Sequence, residues 1–168
     1  MGESELTKNF RSEAELIDSA GLFARHLRSA GCRPLVIGLA GTLGSGKTTW
    51  ARAMLRGLGY RGRVPSPTYT LLEQYEVGDL TVLHLDLYRL TGDAEVEHLG
   101  LRDWLADPKT WVLCEWPERA PGLARRCDMV LEFTDGGDNA RRVTLRATTR
   151  LGIAALEHSR QAGLNNDR

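Results

Sequence analysis

The sequence predicts an α/β fold, a single domain whose mixed, twisted sheet is flanked by helices, and three observations carry that prediction. A short apolar run, Pro34 to Ala40, leads into a glycine-rich loop and then into a stretch with helical periodicity. Two further apolar runs, Val82 to Asp86 and Trp111 to Glu115, have the length of buried strands, and each ends in an acid. Two turn signals, Gly78-Asp79 and Gly136-Gly137-Asp138-Asn139, each separate a pair of strand-like segments and so add antiparallel pairing. A length of 168 residues suits one domain that buries its own core.

The boundaries expected are a flexible N-terminus over 1–11, the domain itself over 12–160, and a disordered tail over 161–168. Ser12-Glu13-Ala14-Glu15 has capping-box spacing, and Leu16, Ala20, Phe23, Leu27 and Ala30 follow at helical period, predicting a helix to about Gly31. Pro34 to Ala40 reads as a buried strand. Beyond Lys47, Ala51, Met54, Leu55 and Leu58 share one helical face, and Gly57 and Gly59 supply the stop. Val64-Pro65-Ser66-Pro67-Thr68 cannot be helical, because its prolines remove donors and push their predecessors toward extended geometry. Tyr69 to Glu76 and Leu80 to Leu87 read as a hairpin, and Ala94 to Asp107 as a helix broken near Gly100. Thr110 to Glu115, Met129 to Thr134 and Arg142 to Ala147 read as strands, and Leu151 to Arg160 as a last short helix.

Composition excludes several functions. Apolar residues make up 42% and charged residues 26%, the balance of an ordinary globular protein. Twenty-two basic residues against 22 acidic ones give no global field toward nucleic acid or anionic lipid. No apolar run approaches the roughly 20 residues that span a bilayer, and Met1 to Phe10 lacks the apolar stretch of a signal peptide. The chain is therefore expected in the cytoplasm, with no membrane partner. Cys32, Cys114 and Cys127 are far apart and odd in number, the pattern of plain thiols.

The loop carries the chemistry. Gly41-Thr42-Leu43-Gly44-Ser45-Gly46-Lys47-Thr48 fits the phosphate-loop pattern G-x-x-x-x-G-K-[ST] without mismatch, between a predicted strand and a predicted helix. Its glycines let backbone N–H groups converge on phosphates, and the helix that follows points its positive end at the same anion. Lys47 is expected to reach the β- and γ-phosphates and the Thr48 hydroxyl to coordinate Mg²⁺, with Thr49 a candidate for the α-phosphate. The domain is therefore P-loop NTPase-like, with ATP and Mg²⁺ as its cofactors. A guanine-selecting N-K-x-D motif is absent, which favours ATP over GTP.

Such a loop also needs a carboxylate at the end of a neighbouring strand, and Asp86 and Glu115 both qualify. Sequence leaves open which of them ligates metal and which orients water. The fold does not fix the reaction either. A small-molecule kinase, an ATPase switch that drives a partner, and a nucleotide sensor without turnover all remain open. Thr68, on a loop bounded by prolines, is placed to sense a γ-phosphate as switch loops do, with a plain extended linker as the alternative.

Taken together, the phosphate loop through Thr49, Ser66-Pro67-Thr68-Tyr69-Thr70-Leu71, His84-Leu85-Asp86-Leu87-Tyr88-Arg89-Leu90 and Glu115-Trp116-Pro117-Glu118 resemble the bacterial TsaE (YjeE) family. Leu99-Gly100-Leu101-Arg102-Asp103-Trp104 is similar too, and the likeness runs from about Ser12 to Ala147. The first motif is generic; the others, in this order and spacing, are specific. The resemblance implies an ATPase needed to make threonylcarbamoyladenosine in tRNA. Such an ATPase binds the TsaB and TsaD subunits and serves tRNA indirectly, with direct tRNA contact left open by the sequence. It also implies that Lys47 and Thr48 hold phosphate and Mg²⁺ and that Asp86 and Glu115 are the acidic partners; Trp116 beside Glu115 is a family feature too, with a core or rim aromatic as the alternative. Thr42 departs from the family, whose loop often carries an acid there, but the phosphate chemistry does not require one.

Overall fold

In the computed structural model, which describes residues 4–161 and 163–164, one seven-stranded sheet organises the chain. The elements run β1 (Glu5–Phe10), α1 (Glu13–Ser29), β2 (Leu35–Gly41), α2 (Lys47–Gly57), β3 (Leu72–Val77) and β4 (Leu80–Asp86). They continue through α3 (Asp93–Glu97), α4 (Leu101–Ala106), β5 (Thr110–Glu115), a 3₁₀ turn at Pro117–Arg119, α5 (Pro121–Ala124), β6 (Met129–Asp135), β7 (Arg141–Ala147) and α6 (Arg150–Gln161). The strand order is β1-β7-β6-β2-β5-β4-β3. Strands β6, β2, β5 and β4 are mutually parallel, and antiparallel pairs close both sides, β3 on β4 and the β6-β7-β1 meander.

Strand alternation divides the core into two layers. Leu35, Ile37, Leu39, Val82, Trp111 and Leu113 pack with Leu16, Ala20, Phe23, Leu27, Met54 and Leu55 of α1 and α2. Val36, Leu83, Leu85, Val112 and Cys114 pack on the opposite face with Val96, Leu101 and Leu123. Because β2 and β5 are apolar on both faces, they occupy the middle of the sheet. Helices α1 and α2 meet closely at Gly21 and Gly57, where a Cβ on Gly57 would lie 2.3 Å from the Gly21 carbonyl oxygen. Ser12 caps α1 as its spacing predicts, accepting from the Glu15 N–H at 3.2 Å, while the Glu15 carboxylate accepts from the Arg11 N–H at 2.7 Å.

The structure corrects the sequence reading in three places. Residues 5–10 of the expected flexible N-terminus form edge strand β1, held by Leu6 and Phe10, both buried, and by pairing with β7. Strand β3 begins at Leu72 rather than Tyr69, because Pro67 to Leu71 form a turn closed by the Leu71 N–H on the Pro67 carbonyl at 2.8 Å. In the tail, Gln161 still belongs to α6 and Leu164 is buried; the remainder of the disorder expected over 161–168 falls on 162 and 165–168, outside the described residues. No helix among the described residues is long and apolar enough to cross a membrane.

Candidate functional site

Parallel strands end at the same edge of a sheet, so β2, β4 and β5 bring the phosphate loop, Asp86 and Glu115 together. Asp86 and Glu115 are register partners across β4 and β5, and both are buried. Leu43, Gly44, Ser45, Gly46, Lys47, Thr48, Thr49, Thr68, Asp86 and Glu115 all line one cleft of about 560 Å³. Gly41 and Thr42 lie just behind it, where their carbonyls accept from the Lys47 ammonium at 2.7 Å each. Every residue singled out from sequence thus falls in or against one site.

The loop is open to an anion. Gly46 precedes α2 with φ 109° and contributes no side-chain cap, so side chains leave the first N–H groups of α2 unoccupied. Lys47, buried at the start of this helix, also reaches Ser45 Oγ at 3.4 Å and sits 4.2 Å from the centre of the Trp116 ring. Burial pushes the Lys47 amine below its ordinary range, against the opposing pull of Glu115, Asp86 and Glu118. An anion in the loop would favour the charged ammonium.

The two acids have different neighbours. The Thr48 hydroxyl donates to both Glu115 oxygens, at 2.8 and 2.9 Å, and His84 Nε2 meets Oε1 at 2.8 Å. Asp86 accepts from the Thr68 hydroxyl at 3.1 Å and from the Tyr88 N–H at 2.9 Å, and Ser66 Oγ lies 2.8 Å from Thr68 Oγ1. Glu115 therefore lies under the phosphate loop, whereas Asp86 ties down the proline-bounded segment. Thr48 Oγ1 and the two carboxylates, all lining the cleft, are oxygen donors of the kind a hard divalent cation takes.

Sequence reasoning missed several of the walls. Arg11, Ser12, Glu13 and Leu16 form a side of the cleft from the β1–α1 junction and the first turn of α1, and Asn139 and Arg141 contribute from the β6–β7 turn and the start of β7. Their signal is purely tertiary. His84 did have a local signal, as the one polar residue interrupting Val82 to Leu85. Trp116 adopts φ 59°, unusual for a side chain of its size, and its ring lies 5.0 Å from that of Tyr88, which Arg119 approaches at 5.4 Å. Arg89 stacks over Tyr69 at 4.3 Å and is not among the residues lining the cleft.

A family model described as "Threonylcarbamoyl adenosine biosynthesis protein TsaE" matches residues 10–143. The chain belongs to the TsaE family. Its relatives include the tRNA threonylcarbamoyladenosine biosynthesis protein TsaE of Haemophilus influenzae, 41% identical over 120 residues, covering 71% of this chain and 75% of the relative. The protein of the same name from Bacillus subtilis is 32% identical over 132 residues, covering 78% and 82%. Among solved structures, Bacillus subtilis YdiB superposes with a TM-score of 0.75 over 95% of this chain and 96% of its own, at 24% identity. That likeness agrees with the mixed seven-stranded α/β architecture. The match to the family spans the phosphate loop, the proline-bounded segment and both acids, so the cleft lies within the part that defines it.

Proposed function

We propose that the chain is a cytoplasmic, Mg²⁺-dependent ATPase that binds the TsaB and TsaD subunits and supports their turnover in threonylcarbamoyladenosine modification of tRNA. The observation that carries this reading is the Thr48 hydroxyl resting on Glu115 directly beneath an uncapped, lysine-bearing phosphate loop. Gly44, Ser45, Gly46 and the start of α2 would hold the phosphates through backbone N–H groups. Thr48, Glu115 and Asp86 would hold Mg²⁺, which supplies neutralisation of charge on the phosphate oxygens when bound. Lys47 adds a fixed positive charge, and the Trp116 ring beside it keeps water from one side of the ammonium.

The remaining parts support a partner-dependent cycle. Arg89, the arginine nearest Asp86 in sequence, is engaged with Tyr69. An arginine or other cation from a partner would then complete the charge stabilisation that phosphoryl transfer needs. Thr68 links the proline-bounded segment to Asp86, so a nucleotide that engages Asp86 also alters what holds this segment. On this reading ATP orders residues 66–70 and thereby controls docking; protease sensitivity there that ignores ATP would count against it.

The deciding measurement is phosphate release from ATP by the purified chain, alone and with the TsaB–TsaD pair, with Lys47→Ala as control. Stimulation by the pair that disappears in Lys47→Ala supports the proposal. Unstimulated turnover, or transfer of the γ-phosphate to an acceptor other than water, would overturn it in favour of a kinase.

A further inference from the structure

His84 sits where the sheet's own pattern calls for an apolar residue. Val82, His84 and Asp86 alternate onto one face of β4, the face that packs under α2 with Leu113 and Trp111. Its imidazole is fully buried, Nε2 lies 2.8 Å from Glu115 Oε1, and Nδ1 has no hydrogen-bond partner. A carboxylate offers only acceptors, so Nε2 is the donor. One nitrogen of the buried ring is left unpartnered, a cost that an apolar side chain at this position would not carry. What the ring does supply is a restraint on Glu115. Oε1 takes both His84 and Thr48, whereas Oε2 takes Thr48 alone, so the carboxylate is held with one oxygen occupied within the sheet.

We infer that His84 is a positioning residue for the metal side of the site: it fixes the Glu115 carboxylate so that Oε2 and the Thr48 hydroxyl present one prearranged oxygen pair to Mg²⁺. This rests on the Mg²⁺-nucleotide reading given above. Residues that hold a metal-binding carboxylate in place govern metal affinity without touching the ion. Among the described residues the hydrogen bond of His84 goes to Glu115 and not to the phosphate loop, so the phosphates should bind without its help.

The test is calorimetric titration of ADP into the wild type, His84→Leu and His84→Gln, each with and without Mg²⁺. For His84→Leu the gain in ADP affinity from Mg²⁺ should fall about 10- to 100-fold, the usual effect of losing such a partner. Affinity for metal-free ADP should be unchanged. His84→Gln, whose amide nitrogen reaches the place of Nε2, should recover most of the gain. A wild-type gain in His84→Leu would overturn the inference, as would a parallel loss of metal-free ADP binding or a failure of His84→Gln to recover. If the wild type itself gains nothing from Mg²⁺, the metal reading of the site falls, and this inference with it.

Discussion

Two glycines of the phosphate loop should respond very differently to the same methyl group. Gly41 has φ 144°, and a Cβ there would lie 2.6 Å from the Phe133 carbonyl oxygen, 2.8 Å from Ser45 Oγ and 3.1 Å from Phe133 Cβ. The serine hydroxyl can turn away. The carbonyl cannot, because Phe133 is the ladder partner of Gly41, and moving it parts β2 from β6. Overpacking of this kind costs about 1–3 kcal/mol, and holding alanine at such a φ costs about 1–3 kcal/mol more. Gly44 has φ 72° with nothing within 4 Å of its added Cβ, so only the backbone cost applies. For a chain of this length each kcal/mol moves Tm by about 2–4 °C. Gly41→Ala should therefore melt roughly 4–24 °C below the wild type and Gly44→Ala roughly 2–12 °C below it, with Gly41→Ala always the lower. Thermal unfolding of the nucleotide-free proteins, followed by circular dichroism, separates the two. Equal melting temperatures would refute the reasoning, since they would mean that β6 yields freely to the methyl group.

Three further outcomes follow from the same structure. Leu6→Ala should lower stability by about 2–5 kcal/mol if β1 is a structural strand, and a melting temperature equal to the wild type would mean that β1 contributes nothing. Burial, and to a lesser degree Asp128, push the Cys127 thiol from 9.0 up to about 12, so the unfolded chain releases this proton first. Its contribution to stability is fully present below pH 9.0 and is lost as pH rises toward about 12. The slope is about 1.4 kcal/mol per pH unit for this one group, and Cys127→Ala should flatten the alkaline limb of a denaturation series by that amount. Finally, ADP at a hundredfold excess over its Kd should stabilise the fold by about 2.7 kcal/mol, and a chelator should remove much of that. A melting temperature indifferent to the chelator would count against Thr48, Asp86 and Glu115 as a cation site.

What could be read from sequence was whatever local pattern determines. The phosphate loop lies between β2 and α2 because its glycines and its flanking periodicities are contiguous in the chain. The Gly78-Asp79 turn and the helix break at Gly100 were equally local, and Gly100 takes φ 69°. Strand β1 was not legible. Glu5 to Phe10 alternates modestly between apolar and polar residues, and its stability depends on β7, which no local window contains. Tyr69 to Leu71 has strand composition, yet the turn after Pro67 places Leu71 at φ 67°, outside strand geometry. Both acids could be read as strand-end carboxylates, but their different neighbours could not, because these follow from α2 lying over β5, which brings Thr48 to Glu115 and leaves Asp86 to Thr68. Arg11, Asn139 and Arg141 join the cleft only through the β7–β1 and β6–β7 pairings.

The place of β1 also sets an order of events during synthesis. Thr7 and Thr144 meet across β1 and β7 though 137 residues separate them. At about 5–20 residues per second, the first strand waits roughly 7–30 s for its partner to leave the ribosome. The phosphate loop, α2 and both acids are all made within that interval. Arg11, Ser12 and Glu13 follow β1 directly and line the cleft, so this wall, held from one side by α1 on α2, gains its second anchor when β1 pairs with β7. A nascent chain stalled before β7 would carry the phosphate loop without its finished cleft, whose last walls, Asn139 and Arg141, arrive with the β6–β7 hairpin.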